Sequence, residues 1–132
     1  MEHVKFIAFQ DGLDNISFEA ELLESENYLL FEDKTAAKTK MKITIKSDKE
    51  VIVERFGSVE SCFTFKLNER VLSHYKNQEG LEFKFYTLAQ EILVKEDKLM
   101  LNYDYFYEDG VKISSAKIVL FVKSKFNLLK NY

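Results

Sequence analysis

Arg55 is the residue whose setting most plainly invites chemistry. It lies in register with Val51 and Val53, so strand alternation turns its guanidinium toward the side that carries apolar residues. A charge on such a side needs a partner, because an unpaired buried ion is expensive. Glu32, in register with Tyr28 and Leu30, is the expected partner. A closed Glu32–Arg55 pair would fix the structure, whereas an open guanidinium would offer a planar fork suited to a carboxylate or phosphate.

Other reactive residue types are sparse and poorly placed. His74 alternates with Leu72 and Lys76 and is expected on the solvent side, and His3 sits near the N-terminus. No second ligand at metal spacing stands beside either histidine, so neither a metal nor a cofactor is expected. Cys62 is the single cysteine, and a lone thiol on a strand reads as a small buried hydrophobe. Gly12, Gly57, Gly80 and Gly110 stand singly, which excludes a phosphate-cradling loop. Three of them belong to turns, and Gly57 suggests a bulge or corner. No serine has the flanking glycines of a nucleophile motif, so no catalytic residue is assigned and an enzyme ranks below a binding role.

These side chains must be positioned by strands. Met41, Ile43 and Ile45 alternate with lysines and Thr44; Val59, Ser61, Phe63, Phe65 and Leu67 alternate with Glu60, Cys62, Thr64 and Lys66. Such period-two patterning marks half-buried strands. Leu99, Leu101, Tyr103, Tyr105 and Tyr107 form a strand whose opposite face, with Met100 and Phe106, is also partly apolar, so it is expected to meet protein on both sides. Segments at 2–10, 15–24, 27–33, 39–46, 51–56, 59–67, 71–77, 81–88, 91–95, 98–107 and 111–122 are separated by turn residues such as Asp11-Gly12, Glu79-Gly80 and Asp109-Gly110. Merging or fraying of some leaves eight to ten strands. Helix competes at Phe18–Glu24, where strand is favoured, and in the tail 124–132, which carries Phe126, Leu128 and Leu129.

With 132 residues, twelve Phe, seven Tyr and no Pro, the chain is sized for one domain, taken as 1–123 with the tail 124–132. Short connections between antiparallel strands predict an all-β, up-and-down barrel, whose scarcity of edges suits the lack of proline. Nineteen basic and twenty-two acidic residues give a formal charge of -3, which offers no general attraction to nucleic acid or anionic lipid. Lys84 and Lys66 interleave with Phe85 and Phe65, but alternation puts rings and cations on opposite faces. The apolar run 118–122 is too short to span a membrane, and no secretory signal is visible, so a soluble cytoplasmic protein is expected.

Tyr28-Leu29-Leu30-Phe31-Glu32, Thr39-Lys40-Met41-Lys42-Ile43, Arg55-Phe56-Gly57, Phe65, Tyr75, Gly80, Thr87 and Tyr103 together resemble the YwiB-like family of small firmicute proteins. The resemblance runs from about Tyr28 to Val122 and implies a calycin-like, lipocalin-related barrel; the family brings no established activity with it. The chain departs from the pattern at Tyr75-Lys76-Asn77-Gln78-Glu79-Gly80, which lacks the usual Thr-Pro, and at Phe31, where a tyrosine is usual. On this fold, Arg55, Glu32, Tyr75, Thr87 and Tyr103 form the expected network or ligand-binding set. The leading expectation is a binding module for a small amphipathic or anionic ligand in the barrel. The alternative is a filled barrel that serves protein–protein contact or homo-oligomerisation.

Overall fold

The computed structural model describes residues 2–25, 27–123 and 128. Ten strands run in order: β1 (His3–Gln10), β2 (Ile16–Ser25), β3 (Leu29–Glu32), β4 (Lys40–Ser47), β5 (Glu50–Phe56), β6 (Glu60–Lys66), β7 (Arg70–Lys76), β8 (Glu82–Val94), β9 (Lys98–Phe106) and β10 (Lys112–Lys123). Each is antiparallel to its chain neighbours, and β1 also pairs with β10. The result is the expected all-β, up-and-down barrel, closed on itself. Among the described residues no helix is long and apolar enough to cross a membrane.

Alternation decides what lies inside. Across β1 and β10, Val4 faces Val122, Phe6 faces Leu120 and Ala8 faces Ile118, all turned inward. Across β1 and β2, Phe6 stacks on Phe18 with ring centroids 5.2 Å apart. That ladder explains why Phe18–Glu24 is strand despite its good helix formers: as part of β2 it closes the wall between β1 and β3. The segments expected at 81–88 and 91–95 are one strand, β8. Gln90 is an extra residue at the register shift between Ala89 and Glu91, so the apparent break is a β-bulge.

The wall has a seam between β6 and β7. Direct pairing of β6 with β7 covers only Glu60–Cys62 against His74–Lys76. Beyond it, side chains stand in for the ladder: the Thr64 amide donates to Ser73 Oγ at 3.3 Å, and Thr87 Oγ1 donates to the Thr64 carbonyl at 2.7 Å. The 67–69 turn then leans toward β8, with the Asn68 amide donating to the Ala89 carbonyl.

The two ends of the barrel differ. The lower half is packed solid by Leu29, Ile43, Val51, Phe65, Leu99, Leu101 and Leu120, all essentially inaccessible. Leu128 joins this cluster and donates its amide to the Glu96 carbonyl. The remainder of the 124–132 tail, with Phe126 and Leu129, lies outside the described residues. The upper end gathers the loops 11–15, 33–39, 57–59, 77–81 and 107–111, and here the interior is less completely filled.

Candidate ligand-binding site at the barrel mouth

The β3–β4 loop, 33–39, folds over the upper rim because its polar groups are satisfied locally. Asp33 Oδ1 accepts from the Thr35 amide at 2.9 Å and from Thr35 Oγ1 at 2.5 Å, an Asx-type turn. Ser58 Oγ donates to the Ala37 carbonyl at 2.5 Å, and Thr39 Oγ1 lies 3.0 Å from Ser58 Oγ. Gly57 lets the loop dock: a Cβ there would lie 2.0 Å from the Lys38 carbonyl oxygen, and its φ is +138°. The Arg55-Phe56-Gly57 run is therefore a clamp. Arg55 grips the start of the loop and Gly57 admits its end.

Arg55 does face inward, as its register with Val51 and Val53 predicts, but its partner is Asp33 rather than Glu32. Arg55 Nε donates to Asp33 Oδ2 at 2.8 Å, and Asp33 is fully buried. Arg55 Nη2 donates to Thr35 Oγ1 at 3.2 Å. Glu32 is exposed on the outer wall, paired across β3 and β4 with Lys40. The expected register was off by one: Leu29 and Phe31 point in, and the chain continues inward at Asp33. A one-residue slip moves every side chain to the other face.

Tyr75, Thr87 and Tyr103 fall in three different settings. Tyr75 is opposite Ser61 on the adjacent strand and sets its ring 6.0 Å from the Arg55 guanidinium carbon. Thr87 is fully buried in the seam, and its hydroxyl serves Thr64 and Ser73. Tyr103 lies with its ring 4.6 Å from Phe65, on the cavity side of the packed half. Burial pushes the Tyr103 phenol well above the usual tyrosine range, and the Tyr105 phenol acts in the same direction.

Between Arg55 and Tyr103 lies a cavity of about 150 Å³, open at the mouth. Its walls are largely apolar, with Phe6, Ala8, Met41, Val53, Phe63 and Ile118 prominent; its polar lining is Thr35, Arg55, Ser61 and Tyr103. Ser61 was legible only as a polar residue on an otherwise apolar strand face. Its importance comes from tertiary placement. It is 5% exposed, and its Oγ is a buried polar atom with no hydrogen-bond partner among the described residues. It is also the cross-strand neighbour of Arg55, so the two side chains adjoin on one wall.

The remaining candidates stand apart from this cavity. His74 is exposed on the outer wall, as expected. Cys62 is half-buried between Glu54 and His74 across the ladder. Burial and then the Glu54 carboxylate push its thiol up, opposed by a hydrogen bond with Thr64, which is the reverse of what activates a nucleophile. No group of three metal-ligating side chains occurs among the described residues.

The chain is similar to the ywiB protein from Bacillus subtilis in its crystal structure, with a TM-score of 0.59 and 23% identity over 93% of this chain and 90% of that one. At that identity the likeness speaks for the fold. No curated protein matches. Residues 10–120 match the family model described as a domain of unknown function, DUF1934. That match spans most of the chain: the chain belongs to the DUF1934 family.

Proposed function

We propose that this barrel is a binding module that holds a small amphipathic molecule in its mouth. The observation that carries the reading is the buried, unpartnered Ser61 Oγ on the wall of a cavity that Arg55 reaches. Buried polar atoms are nearly always satisfied, and one left open beside apolar walls is what a site with a few placed polar groups requires. Of the expected set, Arg55 and Tyr103 face the cavity and Tyr75 flanks Arg55; Thr87 supports the wall, and Glu32, exposed on the outer wall, does not line the cavity. The cavity is below the usual range for drug-sized ligands, so the occupant is small or protrudes. The chain's half-buried lone thiol suits a reducing compartment, and the cytoplasm is the proposed location.

Amide-resolved NMR titration with a panel of small amphiphiles tests this reading. Binding is expected to move the amides of Ala8, Arg55, Ser61 and Ile118 ahead of those in the packed half. A panel that moves none of them, or moves only outer-wall amides, overturns it.

A second reading has its own observation. The mouth-end loops and strand ends carry Leu13, Leu81, Phe83, Tyr107 and Val111 at 50–63% exposure. Such a rim fits contact with a protein partner or a second copy of the chain. Sedimentation velocity checks it: concentration-dependent association that is lost in Leu81→Ser with Phe83→Ser is expected, and an unchanging monomer counts against it.

A further inference from the structure

We infer that the mouth cavity takes a monocarboxylate, with its acid group on the terminal edge of Arg55 and on Ser61 Oγ and its compact apolar body against Phe6, Ala8, Phe63 and Ile118. This rests on the binding reading above and names the chemistry of its ligand. The geometry of the guanidinium carries the assignment. A guanidinium has five N–H donors in a fixed fork. Asp33 takes Nε and Thr35 takes a hydrogen of Nη2, which occupies the side edge. The guanidinium's hydrogen bonds run from Nε and Nη2 on that side, so the terminal Nη1–Nη2 edge remains able to receive two oxygens side by side.

Asp33 is the positioning residue for that edge. Its Oδ1 is taken up by Thr35 and its Oδ2 by Arg55, so it has little left to offer a cationic ligand. Its charge also sets the ligand's charge. Asp33 and Arg55 together are close to neutral, so a single negative charge adds one uncompensated ion, whereas a phosphate dianion adds two against the same buried carboxylate. Ser61, directly across the ladder from Arg55, supplies a hydroxyl donor that at present meets nothing. The size follows from the cavity, since about 150 Å³ is the scale that accommodates a benzene-sized body.

Benzoate is the probe, with benzamide as the neutral, nearly isosteric control and benzylamine as the cationic one, each titrated at neutral pH and followed by amide shifts. Wild-type protein is expected to bind benzoate at least about tenfold more tightly than benzamide, and benzylamine not at all, by the usual strength of charge-assisted hydrogen bonds. In Ser61→Ala, which deletes an unpartnered hydroxyl and so spares the fold, benzoate affinity is expected to fall severalfold. In the double variant Asp33→Asn with Arg55→Gln, preference for the acid is expected to vanish. Equal binding of benzoate and benzamide to the wild type, or an unchanged benzoate affinity in Ser61→Ala, overturns the carboxylate assignment while leaving the cavity reading in place. No response of the cavity amides to any of the three probes overturns both.

Discussion

At the scale of single residues, the buried Asp33–Arg55 pair makes the sharpest claim. Arg55→Met leaves a fully buried carboxylate without its cation and is expected to destabilise the protein by about 3 kcal/mol, whereas adding Asp33→Asn should recover much of that loss. Urea denaturation of the two variants checks the order; equal losses would mean that the ion pair is not what holds the loop. Tyr103 gives a pH signature. Its folded-state pKa is raised, so above pH ~10 the unfolded chain loses this proton while the folded chain keeps it, and stability falls as pH rises. The contribution is about 1.4 kcal/mol per pH unit until the buried phenol itself ionises. Tyr103→Phe should flatten that part of the alkaline stability curve, and an unchanged curve would place the effect elsewhere. Cys62 should react slowly with thiol reagents at neutral pH, and Glu54→Gln should speed it by lowering the thiol's pKa. Arg55's inward direction was legible, because alternation alone sets it. Its partner was not, because β3 is only four residues long and offers too little alternation to fix which face is inner.

At the scale of elements, alternation located every strand but could not see what interrupts or seals the ladders. The break expected near residue 90 is a bulge within one strand, since an inserted residue shifts the period without ending the pairing. Thr87 enters the expected site with the resemblance, which does not say what its hydroxyl does. Only the short pairing of β6 with β7 shows why a hydroxyl is needed there. Thr87→Val is expected to cost about 1–3 kcal/mol by orphaning the Thr64 carbonyl and Ser73. Hydrogen exchange should accelerate first in the lower halves of β6 and β7; uniform acceleration over the barrel would argue against a seam. Gly57 bears on the β3–β4 loop in the same way. Gly57→Ala is expected to destabilise by at least about 2 kcal/mol, because strained backbone adds to contact with Lys38, while Gly80→Ala meets no neighbour and should cost less. Equal melting temperatures for these two variants would remove the clamp from the account.

At the scale of the whole molecule, closure depends on joining β1 to β10, the pairing with the greatest separation along the chain. Topologies rich in such contacts fold slowly, so refolding is expected in milliseconds to seconds, and stopped-flow fluorescence showing microsecond folding would contradict it. The barrel itself was legible because short turns and repeated alternation leave few other all-β solutions. The division of its interior into a solid half and a hollow half was not, because it depends on which aromatic rings meet across strands. That division makes the barrel a blind tube. With the lower half occupied by leucine, isoleucine, valine and phenylalanine side chains, anything that enters must leave by the same opening, and no second molecule can push it through from behind. Exchange is then strictly one out before one in. For the proposed ligand, the release rate should therefore be independent of how much competitor surrounds the protein, with unloading limited at the rim by the Asp33 loop and its hold on Arg55.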